Sequence, residues 1–527
     1  MSEREHIVSV NRGVDLVAFN QEMIATTGAG SIPSRTVGVA DPRATNIRST
    51  HYMLTDAEAE TLKADPRVFG VDLLPELDPN TGIGFDTVQS GNFTKTTLDR
   101  GDFLNWGMRR VNEEVNIYTG VNPTAGGYGY TLDGTGVDVV IVDSGIQADH
   151  PEFQDADGVS RVQQINWFTA SGVSGTMPTA HYTDYHGHGT HVAGTAVGKT
   201  YGWAKNARIF SVKVGGLEGT GDSNTGISVS NCFDIIKNWH NAKEADPLTG
   251  VKRPTIVNMS WGYSSNVGNS ISNITSIVYR GTTYNSGSDG SFGNAAHMWS
   301  TYGFATYYSS GAYRFPIRVA SVDTDVDELI AAGVHVCIAA GNNSFKADVS
   351  GGDDYNNIVF ASNGVTANYH RGSSPYSDDA FMVGCADATP TNATTERKVS
   401  FSTTGPGVNI YAAGHNIISC TSQTNRFGDA VYYGSSSWRQ CNISGTSMAS
   451  PQVAGVGATY LQTEPGLTPA QLKSKIETDS LAILNTASDL TNYEDTDDLV
   501  GGPNRFMLSR YGKTQTFSSN IKGLVVK

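Results

Sequence analysis

An aspartate, a histidine and a serine stand far apart in this 527-residue chain, each within two residues of a glycine, and together they form the parts of an activated nucleophile. They lie in Val142-Asp143-Ser144-Gly145, in His186-Gly187-His188-Gly189-Thr190 and in Ser444-Gly445-Thr446-Ser447-Met448. A serine hydroxyl is inert at its ordinary pKa. It needs a neutral imidazole to take its proton and a carboxylate to orient the ring and stabilise the imidazolium. Attack on a carbonyl also creates an oxyanion, which needs donors aimed at it. Asn342, just after Gly341, is the side-chain candidate, and the amide of Ser447 is the expected second donor.

These residues must be brought together by the elements that carry them. The runs 137–142, 255–259 and 334–339 are largely apolar, as strands buried on both faces are. Each leads straight into polar residues: Asp143-Ser144-Gly145, Ser260-Trp261-Gly262 and Gly341-Asn342-Asn343. In open α/β sheets ligands bind at the carboxyl ends of the strands, so these segments are expected on one rim. His188 opens a helical stretch whose small residues Gly189, Ala193 and Gly194 allow close packing. Ser447 is expected to precede a helix over about 448–462, with Pro451 in the first turn, where missing amides are tolerated.

The formal charge of -15, from 36 Lys and Arg against 51 Asp and Glu, argues against nucleic acid and acidic membrane surfaces as partners. No apolar run reaches the ~20 residues of a membrane span, and the first residues lack a signal-peptide core. Cytoplasmic or particle-associated localisation is therefore expected over classical secretion. Cys337 and Cys385 read as buried thiols, and Cys420 and Cys441 are candidates for a bridge in an oxidising compartment.

The pattern divides the chain into a β-α-β-β-α-β unit over 1–77, a linker over 78–104, an α/β domain over 105–510 and a tail over 511–527. In the first unit, Thr55 and Glu58 have the spacing of a capping box. The large domain is interrupted at 264–320 by a Ser-, Gly-, Asn- and Tyr-rich insertion, whose aromatic content predicts order and a surface for a protein partner.

Three motifs in the order Asp, His, Ser resemble the subtilases, with segment spacing closest to proteinase K-like members. The resemblance covers about 105–510 and includes Tyr201-Gly202-Trp203-Ala204 and Gly502-Pro503-Asn504-Arg505. It implies a subtilisin-like parallel sheet and a serine endopeptidase with Asp143, His188 and Ser447 as triad and Asn342 at the oxyanion position. It further implies that an extended polypeptide substrate is held as an added strand by Gly219-Thr220-Gly221 and Ser260-Trp261-Gly262. Trp261 stands where the family commonly has small or aliphatic residues. The N-terminal unit resembles an inhibitory propeptide, with cleavage expected within 75–104.

No cofactor is implied for the chemistry. A structural calcium is a family trait, with Glu152 at a position that often ligates it. Asn409 replaces a cation-binding Asp, however, and the acidic run 348–354 reads as a solvated loop. The histidines at 181, 186, 188 and 191 lack an H-E-x-x-H pattern, so no metal residue is assigned. The competing reading is a structural or virion-associated protein that retains the fold with latent or no activity.

Overall fold

The strand Asp138–Asp143 sends alternate side chains into two different cores. Val139 and Ile141 join Val192, Ala196, Val453 and Val456 on one face. Val140 and Val142 join Ile235, Ile236, Val326 and Leu329 on the other. A strand apolar on both faces is what a helix-covered parallel sheet requires.

In the computed structural model this sheet has six strands, in the order Ile410–Ala413, Phe381–Ala386, His335–Ala339, Thr255–Met259, Asp138–Asp143, Arg208–Lys213. All neighbouring pairs are parallel. The residues described are 3–11, 13–41, 49–73, 106–114, 130–214, 226–227, 229–288, 292–306, 308–309, 311–318, 320–388, 395–425, 427, 430–432, 435–486 and 499–510. The first strand and the one expected over 334–339 both begin a residue later than the sequence suggests, which makes Asp143 the last strand residue, in register with Lys213. From Asp138–Asp143 the chain winds outward to Arg208–Lys213, then returns to the other side and continues from Thr255–Met259 towards the far edge. The crevice at this reversal is the topological switch point.

The chain forms two units, Met1–Asp86 and Thr87–Lys527. The first carries an antiparallel sheet of strands Arg4–Val10, Gly38–Asp41, Ser49–Leu54 and Val68–Leu73, with the last beside the first. Phe19, Met23 and Leu62 from its two helices complete a core with Val8, Tyr52 and Leu54. The Thr55 and Glu58 capping box is formed.

In the second unit, residues 264–320 supply strands Ile274–Tyr279 and Thr282–Asn285 to a sheet shared with Ile358–Ala361 and Thr366–Asn368. They also supply a helix, Ala295–Tyr302. Phe292, Trp299, Tyr302, Phe304 and Phe315 pack there with Phe345, Val359 and Tyr369 in a third apolar core of this unit. Among the described residues no helix is long and apolar enough to cross a membrane.

All five cysteines are buried thiols. A Cys420–Cys441 bridge is ruled out by register: Ser419 lies opposite Cys441 and Cys420 opposite Gln440, so the two sulfurs leave the hairpin on opposite faces.

Candidate active site

Asp143 and His188 meet directly, with Nδ1 of the ring 2.7 Å from Oδ1 of the carboxylate. The ring is partly exposed and the carboxylate buried, with side-chain exposures of 20% and 2%, so the pair faces the crevice from a rigid base. Asp143 Oδ1 also accepts the Ser144 amide at 2.8 Å, while Oδ2 is buried with no partner among the described residues. A carboxylate held at Nδ1 orients the ring and stabilises the imidazolium that forms during proton transfer.

A second acid, unnoticed in the sequence, fixes the helix to the strand end. Asp184 is buried, and its carboxylate accepts from Ser144 Oγ at 3.0 Å, the amides of His186, Gly187 and Thr190 at 3.1, 2.8 and 2.9 Å, and Thr190 Oγ1 at 2.6 Å. The helix His188–Val197 has Gly187 at its N-cap and no side-chain cap from that residue, so Asp184 supplies the acceptor from three residues earlier. Ser144 Oγ then accepts the Gly189 amide at 2.9 Å. Gly189 has no room for a side chain, since a Cβ there would stand 2.1 Å from the Gly145 carbonyl. The signal for Asp184 was an acid just ahead of a Gly-initiated helix.

Ser447 is the second residue of Thr446–Thr463, among first-turn amides for which the helix provides no acceptor. The helix begins earlier than expected, which puts Pro451 inside it rather than in the first turn. Proline cannot donate to the carbonyl four residues back, and that carbonyl belongs to Ser447. Ser260 Oγ fills the gap, donating to Ser447 O at 3.0 Å, and Ser447 Oγ donates to Ser260 O at 3.1 Å. Asn258 holds this link by donating to Ser260 Oγ at 2.9 Å and accepting from Ser450 Oγ at 2.7 Å. A lone polar residue inside the apolar run Thr255–Met259 was the legible sign of Asn258.

Asn342 is oriented by its oxygen. Oδ1 accepts the Thr446 amide at 2.8 Å and Thr446 Oγ1 at 2.9 Å, which leaves the NH2 group as the end beside Gly445. Thr446 Oγ1 also stands 3.1 Å from the Gly341 amide. Gly341 has φ 112° and would set a Cβ 2.9 Å from Thr403 Oγ1, so both backbone and space require glycine there.

Of the expected substrate segments, Gly219-Thr220-Gly221 lies outside the described residues. Ser260 is engaged with Ser447 as above. Trp261 packs edge-on to Tyr263 at 5.9 Å against the core of the second face, and a Cβ at Gly262 would stand 2.6 Å from Ser373 Oγ.

Two other histidine rings of the cluster, His181 and His191, serve the backbone. His181 Nε2 is 2.9 Å from Ser211 O, and His191 Nε2 is 3.1 and 3.2 Å from the carbonyls of Ile417 and Cys441. Burial pushes His181 down to about 4 and His191 down to about 3, so both rings are neutral.

The residues weighed for calcium do not fit it. Glu152 accepts from the Thr200 amide at 2.8 Å and the Tyr432 hydroxyl at 2.6 Å. Asn409 bridges the Met382 amide at 3.0 Å and the Ala380 carbonyl at 2.8 Å. The run 348–354 is not a solvated loop: Asp348 and Asp354 are buried, and Asp354 pairs with Arg280 at 2.7 Å and Lys346 at 2.8 Å.

A family model described as Subtilase family matches residues 134–507. The "Extracellular serine proteinase" of Thermus sp. (strain Rt41A) is 26% identical over 447 residues, 84% of this chain and 74% of the relative. The "Cuticle-degrading protease" of Metarhizium anisopliae is 27% identical over 430 residues, 80% of this chain and 73% of the relative. A structure titled "Crystal structure of a cold adapted subtilisin-like serine proteinase" is 24% identical, with TM-score 0.45, covering 77% of this chain and 97% of that one.

Proposed function

The chain belongs to the subtilase family and is a serine endopeptidase, and we propose that Ser447, His188, Asp143 and Asn342 carry its reaction. Ser447 Oγ attacks the peptide carbonyl while His188 takes its proton, forming a tetrahedral intermediate whose oxyanion is held by the Asn342 NH2 and the Ser447 amide. His188 returns the proton to the departing amine, leaving an acyl-enzyme. Water, deprotonated by the same ring, then releases the acid and restores the hydroxyl. To begin, the Ser447 hydroxyl turns from Ser260 O, its acceptor at rest, towards His188, since catalytic hydrogen bonds commonly tighten only with substrate bound.

The observation that carries this reading is the 2.7 Å Asp143–His188 pair, built on the same rim as an Asn342 whose oxygen is tied off beside the serine. A purely structural role leaves that pair unexplained and is not retained. Incubation with a serine-reactive fluorophosphonate should label Ser447 alone, and Ser447→Ala should abolish labelling. An adduct on any other residue refutes the assignment.

Polypeptide is the substrate, and Ser260-Trp261-Gly262 and Gly219-Thr220-Gly221 are proposed to flank it as neighbouring strands. The N-terminal unit is proposed as an intramolecular inhibitor, a role supported by its self-contained core. Wild-type chain should shorten after purification while Ser447→Ala stays full length; identical behaviour of the two removes the self-processing part.

A further inference from the structure

We infer that the 264–320 insertion is a positioning module for the oxyanion side of the site, acting through Phe345 and Lys346, two consecutive residues shortly after Asn342. This rests on the reading of Asn342 as oxyanion donor.

The loop leaving strand His335–Ala339 is gripped from two sides. On one side it pairs with the neighbouring loop, Thr403 N donating to Gly341 O at 2.9 Å and Ser344 N to Phe401 O at 2.8 Å. On the other it enters the insertion. Phe345 is fully buried in the aromatic core, 5.5 Å from the Phe304 ring in an edge contact, and Phe304 in turn stands 5.7 Å from Phe315.

Lys346 provides an ionic hold. Its ammonium is 2.8 Å from Asp354, and the same carboxylate receives Arg280 of the insertion through Nε at 2.7 Å and Nη2 at 3.0 Å. Arg280 sits with Gly281 in the tight turn between Ile274–Tyr279 and Thr282–Asn285, at φ 48°, where a residue other than glycine is strained. Its amide donates to Asn357 Oδ1 at 2.7 Å, so side chain and backbone together maintain that conformation.

The insertion also meets the other wall of the crevice. Its first strand, Ser264–Asn266, begins one residue after Ser260-Trp261-Gly262, and the intervening Tyr263 O accepts the Ile317 amide at 3.2 Å. Both segments flanking Ser447 are thus continuous with one packed body. A positioning role needs no external partner at the insertion, and none is invoked.

Turnover of a chromogenic peptide amide and inhibition by the matching peptide aldehyde, which mimics the tetrahedral state, test this in the full chain. Phe345→Ala should lower kcat by about tenfold or more, with a parallel loss of aldehyde affinity and KM changed by less than about twofold. Phe345→Leu should restore most of the loss. Ile277→Ala truncates the same core away from the loop and should leave kcat within about twofold of wild type.

A folded Phe345→Ala enzyme with wild-type kcat overturns the inference, as does an equal loss in Ile277→Ala. If Phe345→Ala does not fold, Arg280→Ala, whose side chain is 47% exposed, decides: a selective fall in kcat and aldehyde affinity supports the inference and no change overturns it. Asn342→Ala in the same assay separates the two levels. If it leaves kcat intact, the Asn342 reading fails; if it lowers kcat while Phe345→Ala does not, only this inference fails.

Discussion

Ser260 acts on Ser447 twice, accepting its hydroxyl and donating to its carbonyl. The second bond exists because Pro451 withholds the amide that would otherwise fill that carbonyl. Ser260→Ala should therefore cost about 1–3 kcal/mol of stability by leaving a buried acceptor unpaired. In a Pro451→Ala background the restored helix amide can take over, so the cost should shrink. Denaturant unfolding of the four members of this double-mutant cycle measures the coupling. Additive effects would mean that the restored helix amide does not replace Ser260 Oγ at this carbonyl. If Asn342 is the proposed oxyanion donor, Asn342→Ala should cost about 2.7–4 kcal/mol of transition-state stabilisation, the magnitude found on removing such a donor from subtilisin, read as a fall in kcat. At this scale the motifs around Asp143, His188 and Ser447 were legible because each combines a chemical group with its neighbouring glycines. Ser260 Oγ and Ser450 were not, because their importance is a set of hydrogen bonds between segments nearly two hundred residues apart.

Elements hold the site through their ends. The helix that begins at His188 receives a carboxylate at its positive pole, and the same Asp184 reaches the residue after Asp143 through Ser144. Burial pushes the Asp184 carboxyl upward, reinforced by nearby Asp143, whereas the bonds from Thr190 and Gly187 pull it down. We expect Asp184→Asn to destabilise the fold by about 2–3 kcal/mol, because an amide replaces one acceptor oxygen with a donor facing donors. kcat/KM should fall as well, since the ring and its carboxylate partner lose their common anchor. Urea denaturation and peptide-amide turnover check both, and a variant unchanged in both would relegate Asp184 to one redundant cap among many. Strands were readable in the sequence because burial on both faces makes them continuously apolar. Helix starts were less so: the Thr446 start depends on Asn342, more than a hundred residues away, accepting the first amide.

Across the whole molecule, histidine burial sets the response to acid. Burial holds His150, His181, His240 and His370 down at about 4, and His191 and His335 at about 3. Composition gave twelve histidines but no hint of which lie in the interior; that depends on long-range partners such as the Gly303 carbonyl for His370 and Thr255 Oγ1 for His240. Unfolded, each has a pKa near ~6.5, so between that value and the folded ones the unfolded chain binds more protons and stability falls as pH falls. The contribution is intact above pH ~6.5 and lost progressively towards pH 3–4. Near pH 5 these groups together take up protons on unfolding, so stability has a positive slope with pH there. Acid unfolding should therefore be abrupt and begin above the range where carboxylates titrate. His335→Leu, on a central strand away from the crevice rim, should reduce the slope by about one proton without altering turnover at neutral pH. Urea unfolding followed from pH 7 to pH 4 measures this directly, and a slope of fewer than about 2 protons would mean that most of these rings become charged within the folded protein.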